Sequence, residues 1–159
     1  MSQRTPEQDA RAIYLDQHGG TDLWWQEAAV MRQSVGVVRG VATTALMALA
    51  MGTAVIDAAV NKLLTHQRRP FQIDGSIVPL GPIPRDSSFP SGHAAASAAA
   101  ADVLAHADPE HAARYEHLAD EVARARVYSG VHLPSDVAAG RSIGDAAARI
   151  FVGDRSDSP

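Results

Sequence analysis

The chain has 159 residues, a formal net charge of −4, no cysteine and only 5% aromatic residues. This length fits one domain with one hydrophobic core. The acidic balance argues against a general nucleic-acid-binding protein, which usually carries a basic excess, and the absence of cysteine excludes disulfides and thiolate chemistry. The apolar share is 46%, much of it alanine, which favours close-packed helices over a β-sandwich.

Glycine and proline residues divide the chain into segments that predict helices. Between the third and fourth of these, residues 70–90 contain five prolines and two glycines and predict an ordered loop, which is often functional in a compact domain. We therefore predict an all-α, single-domain bundle of about six helices over residues 1–152, with a disordered tail at 153–159. The predicted helices cover about residues 6–17, 22–39, 41–66, 91–106, 109–128 and 134–151.

Residues 41–60 are long enough to span a membrane. Alanine is barely lipophilic, however, and Asp57 near the centre of a span would cost about 2.5–3.5 kcal/mol. A buried helix is the favoured interpretation. The first residues of the chain are polar and lack the apolar core of a signal peptide. We expect a soluble protein, cytoplasmic by default, for which a membrane partner is unlikely, although contact of residues 41–60 with a membrane stays open.

The first group of candidate functional residues lies at the end of the third predicted helix. Lys62 and Arg69 are seven residues apart, almost two helical turns, so they share one face. Pro70 follows directly. Taken alone, the pair is explained as two solvated cations near a helix C-terminus, where the helix dipole favours positive charge.

The second group lies where the fourth helix begins, in the sequence Pro90-Ser91-Gly92-His93. The first amide groups of a helix have no intrahelical partner, so the N-terminus attracts anions and phosphate above all. Gly92 allows a ligand to approach the backbone closely. This stretch predicts an anion-binding helix tip with a histidine beside it.

The third group combines Arg126, His132 and Asp136 with spacings of six and four residues. If a helix begins at Pro134, the Asp136 carboxylate in its first turn can reach back to the imidazole of His132. Such a carboxylate fixes the imidazole tautomer and leaves the opposite nitrogen with a free electron pair. Alone, the pair would more often be a structural hydrogen bond.

Together, the three segments provide three cations, a helix N-terminus and two histidines, one with a carboxylate partner. This set suits a tetrahedral oxyanion with a nucleophile on one side. The motifs resemble the three-part signature of the type 2 phosphatidic acid phosphatase superfamily, which includes vanadium haloperoxidases and bacterial class A non-specific acid phosphatases. The resemblance covers about residues 45–150, and the stretch after His93 is most similar to the soluble class A enzymes.

The resemblance implies an all-α bundle and a role for each motif residue. It makes His132 the nucleophile, Asp136 the carboxylate that orients it and His93 the general acid. The phosphate would be bound by Lys62, Arg69, Ser91, Gly92 and Arg126. Two features depart from the family pattern: Ala125 stands where a serine is usual, and the chain is short at its N-terminus.

The expected activity is metal-independent hydrolysis of phosphate monoesters through a phosphohistidine, without a cofactor. The expected partner is a small phosphate ester and not nucleic acid. Whether the chain forms a homo-oligomer stays open. One alternative is a haloperoxidase with vanadate bound to His132. Another is a membrane-associated lipid or isoprenoid (pyro)phosphate phosphatase, and a third is a non-catalytic anion-binding module. The spacing of His106, His111 and His117 does not predict a zinc site.

Overall fold

A computed structural model describes residues 4–153, and these residues form helices and loops without a strand. The prediction of an all-α bundle is confirmed. Apart from Gly153, the predicted disordered tail lies outside the described residues. One 3₁₀ turn, Pro109–His111, precedes α6. The α-helices are α1 (Pro6–His18), α2 (Asp22–Val35), α3 (Val37–Thr65), α4 (Pro70–Ile73), α5 (Gly92–Ala107), α6 (Ala112–Tyr128) and α7 (Pro134–Val152).

The boundary between α2 and α3 falls at Gly36 rather than at the predicted Gly40. Gly36 has a φ of 83°, a backbone conformation that glycine adopts at little cost, and so it separates the two helices. Gly40 lies inside α3, where a Cβ atom would lie 2.3 Å from Cγ of Arg32. The second glycine therefore serves the close packing of α3 on α2.

The alanine-rich α5 lies at the centre of the bundle, and all residues from 94 to 101 are buried. It contacts α3, α6 and α7. The approach of α7 is especially close, because a Cβ atom on Gly144 would lie 2.3 Å from the carbonyl oxygen of Ala95. Small side chains on both helices thus bring the start of α5 next to the start of α7, which places the second and third motifs side by side.

The turn between α1 and α2 is attached to α5 through Trp24, which is fully buried. Its Nε1–H lies 3.0 Å from the carbonyl oxygen of Gly19 and 3.2 Å from Oγ of Ser97. The Ser97 hydroxyl donates to the same carbonyl oxygen at 2.9 Å. These bonds hold the C-terminal end of α1 beside the start of α5.

The helix expected to be buried at 41–60 is buried on one face only. Its inner face includes Met47, Ala50 and Ala54, which are fully buried. The opposite side, called here the outer face of α3, is exposed and apolar. A stretch at Val37–Ile73 is long and apolar enough to cross a membrane. Within its most apolar 18 residues, only 33% are buried in the bundle. The outer face consists of Val38, Val41, Leu49, Ile56, Val60, Leu63 and Leu64.

Candidate active site

The three motifs converge on one cavity of about 430 Å³, although they are far apart in the chain. Six of the eight predicted site residues line it: Lys62, Arg69, Gly92, His93, Arg126 and His132. The other two, Ser91 and Asp136, are fully buried behind its wall. The wall also includes apolar side chains of α3, among them Val55 and Ala59. One part of the cavity wall is therefore cationic, and the part formed by α3 is apolar.

His132 is 3% exposed and lies in the short loop between α6 and α7. Its Nδ1 atom is 3.5 Å from Oδ2 of Asp136, longer than a normal hydrogen bond. Its Nε2 atom lies 3.4 Å from Nη1 of Arg69. Burial, together with the charges of Arg126, Arg69 and Lys62, lowers the pKa of His132 to about 4. The imidazole is therefore neutral near pH 7, with Nε2 facing cations, as a nucleophile requires.

Asp136 connects the third motif to the second. Its Oδ2 atom accepts hydrogen bonds from the Ser88 hydroxyl at 2.6 Å and the Leu133 N–H at 2.8 Å. Its backbone carbonyl accepts from the Ser91 N–H at 2.9 Å. Burial alone would raise the pKa of this carboxyl, but the adjacent His132 and the two hydrogen bonds outweigh burial and lower it to about 2. Asp136 is thus a carboxylate at any working pH.

Arg69 and Lys62 share a carboxylate partner, Asp86, in the loop that precedes α5. Nη2 of Arg69 is 2.6 Å from Oδ1 of Asp86, and Nζ of Lys62 is 3.0 Å from Oδ2. Arg69 is 1% exposed, and its Nη1 also donates to the carbonyl oxygen of Val131, the residue before His132, at 2.7 Å. Two cations therefore lie beside His132 with an internal anion between them.

Arg126 is 2% exposed and forms an ion pair with Asp16 of α1. Its Nε atom is buried and has no hydrogen-bond partner among residues 4–153. Burial lowers the pKa of Arg126 to about 10, so the guanidinium stays charged at neutral pH. A buried cation with an unsatisfied donor at the cavity is well suited to an anionic ligand.

His93 lies in the first turn of α5 and contacts the same part of α1. Its Nε2 atom is 3.0 Å from the backbone carbonyl oxygen of Asp16. Burial is the main cause that lowers the pKa of His93 below its usual value, and the charges of Lys62 and Arg69 lower it further. The charge of Asp86 acts in the opposite direction. His93 therefore titrates in a more acidic range than a free histidine.

Ser91 and Gly92 have different positions at the tip of α5. The hydroxyl oxygen of Ser91 accepts from the Ala94 N–H at 3.4 Å and so caps the helix. Gly92 lines the cavity, and no atom would lie within 4 Å of a Cβ atom built on it. Direct phosphate contacts from both residues stay a prediction, but only Gly92 borders the space in which such a ligand would lie.

Four residues of the site carried no recognised signal in the sequence. Asp16 and Asp86 pair with the cations, Ser88 donates to Asp136, and Nε2 of Gln67 lies 2.9 Å from Oδ1 of Asp136. Asp16 is 110 residues from Arg126, so no local spacing could join them. Within residues 4–153 no group of three or more acidic, histidine or cysteine side chains could hold a metal ion. Metal independence itself stays a prediction.

An all-α bundle with cations, a helix N-terminus and two histidines around one cavity defines a helical phosphatase. Comparison with known proteins gives the family. The profile of the PAP2 superfamily matches residues 41–158, and the chain therefore belongs to this superfamily. The motif resemblance is confirmed at that level.

Two curated relatives match the sequence. An undecaprenyl-diphosphatase from Sulfolobus acidocaldarius is 29% identical over 153 residues, which cover 92% of this chain and 70% of that protein. A non-specific acid phosphatase from Salmonella typhi is 45% identical over 60 residues, which cover 38% of this chain and 24% of that protein. The second match is local, so the nearer resemblance to class A acid phosphatases is supported over one segment only.

Two solved structures share the fold. Aquifex aeolicus LpxE has a TM-score of 0.77 and 25% identity, with 95% of this chain and 88% of that chain covered. A transmembrane PAP2 type phosphatidylglycerolphosphate phosphatase from Bacillus subtilis has a TM-score of 0.70 and 24% identity, with 94% and 77% covered. The acid phosphatase-like bundle predicted from the motifs is therefore the PAP2-type fold.

The predicted soluble, cytoplasmic localisation is wrong, and the expectation that a membrane partner is unlikely is not supported. A structural neighbour is transmembrane, and a relative is named for a long isoprenoid diphosphate. The chain itself has one apolar stretch of spanning length, at Val37–Ile73. These findings point to a membrane. The alanine content and Asp57 gave the wrong result because composition does not show which face of α3 the bundle covers.

Proposed function

We propose that this protein hydrolyses the phosphate ester or diphosphate of a membrane lipid through a phosphohistidine on His132. One observation carries the proposal: the cavity combines the phosphate-binding cations with an apolar wall on α3 that includes Val55, Ala58 and Ala59. A phosphate with an apolar leaving group would satisfy both parts. The similarity to an undecaprenyl-diphosphatase over 92% of the chain supports the same substrate class.

The residues support a two-step reaction. Nε2 of neutral His132 donates its electron pair to phosphorus as the bond from phosphorus to the leaving oxygen breaks, and protonated His93 gives its proton to that oxygen. Water then attacks phosphorus, loses a proton to His93 and breaks the N–P bond, which releases inorganic phosphate. The charge on the non-bridging oxygens is balanced by Lys62, Arg69 and Arg126.

The contact of His93 with α1 supports a separate role for each of its ring nitrogens. A backbone carbonyl oxygen can only accept a hydrogen bond, so Nε2, at 3.0 Å from the Asp16 carbonyl, carries a hydrogen. In this arrangement Nδ1 is the nitrogen that exchanges a proton with the substrate. A positioned acid–base group of this kind contributes roughly 10²–10⁴ in rate.

The test is a substrate panel: phosphatidic acid and an isoprenoid diphosphate in mixed micelles, and p-nitrophenyl phosphate in solution. We expect higher kcat/KM for the lipids and a loss of roughly 10³-fold or more in His132→Ala. His117→Ala, which changes an exposed histidine of α6, is the matched control. A label from radioactive substrate, trapped under alkaline conditions, should be present in wild type and absent in His132→Ala. Retained turnover in His132→Ala would refute the mechanism.

A second candidate is a non-specific acid phosphatase that acts on soluble monoesters, as the motif resemblance to class A enzymes implies. The 45% identity over 60 residues to the Salmonella typhi enzyme favours it. The same panel separates the two, because this candidate requires p-nitrophenyl phosphate to be hydrolysed at least as well as the lipids. Peroxide-dependent halide oxidation with added vanadate would instead identify the haloperoxidase alternative.

A further inference from the structure

We propose that the protein lies on a membrane rather than across it, with the outer face of α3 in contact with an anionic lipid bilayer. This inference rests on the proposed function in one respect: the protein would take its lipid substrate from the same membrane surface. The proposed partner is a bilayer with phosphate-bearing anionic headgroups. The argument uses the apolar face itself, the charges beside it, its continuity with the cavity and the composition of the opposite side of the bundle.

The outer face of α3 is a continuous apolar stripe. Its large side chains recur at helical spacing from Val38 to Leu63, and both ends are more than 70% exposed. At 1.5 Å per residue the stripe is about 37 Å long. Between these residues the same side of the helix carries small residues such as Ala45, and the two exposed charged residues of α3, Arg39 and Asp57, lie at the edge of the stripe. An exposed apolar area of this length marks an interaction surface.

Positive charge borders one end of the stripe. A second cavity, of about 420 Å³, is lined by Leu63 together with His66, Arg68 and Arg85. The two arginines are exposed and so are free to meet headgroups, each being worth about 1 kcal/mol near an anionic membrane surface. Apolar side chains beside arginines are typical of a membrane interface.

The apolar stripe is continuous with the catalytic cavity. Val55 and Ala59 are both exposed residues of α3 and both line that cavity. Lys62 lines the catalytic cavity and the second cavity alike. A lipid held against the outer face of α3 would therefore have its headgroup next to the phosphate-binding cations.

The opposite side of the bundle favours contact through one face over a spanning arrangement. α5 lies between α3 and α6 and contacts both. The exposed side of α6 carries Arg114, Glu116 and Arg124, and such side chains are costly in the hydrocarbon region. If α3 crossed the bilayer, the helices packed along it would enter the hydrocarbon as well. Contact through one face leaves α6 in water.

The test is flotation of the full-length protein with phosphatidylcholine vesicles, with and without phosphatidylglycerol. Wild type should float, more strongly with phosphatidylglycerol and less at high salt. Leu49→Glu/Ile56→Glu should reduce flotation at least tenfold. Ala113→Glu/His117→Glu, which adds the same charge to the exposed side of α6, should float as wild type. Thermal unfolding of both variants and calorimetric binding of inorganic phosphate establish that each is folded.

Three outcomes would overturn the proposal. Equal flotation of the two double variants would show that the outer face is not the contact. If wild-type protein stays with the vesicles in alkaline carbonate and is released only by detergent, it spans the bilayer. A dimer that fails to float, and that Leu49→Glu/Ile56→Glu converts to monomers, would make the face an interface between two copies. His132→Ala should float as wild type does, because membrane contact does not require turnover. This result separates the inference from the catalytic proposal.

Discussion

The carboxylate of Asp86 lies where an anionic substrate would have to bind. It pairs with Arg69 at 2.6 Å and with Lys62 at 3.0 Å, two cations that line the same cavity as the proposed nucleophile His132. A phosphate that reaches these cations must displace the carboxylate or tolerate its charge. We therefore expect Asp86→Asn to bind inorganic phosphate more tightly than wild type.

The magnitude follows from the two ion pairs. The Asp86 side chain is 56% exposed, so water screens both pairs, and each is worth about 0.2–1 kcal/mol. Together they oppose phosphate binding by about 0.4–2 kcal/mol, which corresponds to a Kd about twofold to 30-fold lower in the variant. The pKa of His93 should also fall, because the charge of Asp86 is the one cause that raises it.

The assay is isothermal titration of inorganic phosphate into wild type and Asp86→Asn at one mildly acidic pH. Asp74→Asn is the matched control, because Asp74 lies in the same loop and its carboxylate bonds only to Ser76. The control should leave the Kd unchanged. Weaker phosphate binding in Asp86→Asn would refute the reasoning, because it would mean that Asp86 positions the two cations for the ligand rather than competing with it.

Three further results are expected. The kcat/KM profile should be bell-shaped. It falls below pH about 4 as His132 becomes protonated, and it falls on the basic side as His93, whose pKa is lowered, loses its proton; a flat profile would contradict these roles. Asp16→Asn leaves the buried guanidinium of Arg126 unpaired and should lower the free energy of unfolding by about 3–5 kcal/mol. Added phosphate should then raise the Tm of this variant more than that of wild type, and an equal rise would contradict this. Gly144→Ala should destabilise by about 1–3 kcal/mol because its Cβ meets backbone, whereas Gly52→Ala, with open space around it, should stabilise by up to about 1 kcal/mol in thermal unfolding.

The motif residues that the structure brings to one cavity or its wall include two pairs with short separations along the chain. His132 and Asp136 lie at the start of α7, where local geometry alone places them close to one another. The shared helix face that the spacing predicts for Lys62 and Arg69 is wrong, because α3 ends at Thr65 and Arg69 lies in the segment that follows it. The all-α fold was equally accessible, because alanine content and helix punctuation are local properties.

The features that the sequence did not predict depend on how distant segments pack. Asp16 reaches Arg126 because α1 packs on α6 and the turn after α1 is bonded to α5 through Trp24. The exposure of Ile56 has the same origin, since composition shows that α3 is apolar but not which neighbours cover it. Even the break at Gly36 required the packed structure, because Gly40 offered the same residue type four positions later.

The contact between α5 and α7 explains why a composition rich in alanine and glycine serves this site. A Cβ atom on Gly140 would lie 2.3 Å from the carbonyl oxygen of Ser91, so only glycine permits the observed approach. One turn earlier in α7, the carbonyl oxygen of Asp136 accepts the Ser91 N–H at 2.9 Å. Larger side chains would separate the helix tip at Gly92 from His132 and its neighbour Asp136. The small residues thus fix the distance between the start of α5 and this imidazole before any ligand binds, and for the proposed reaction such preorganisation lowers the transition-state barrier.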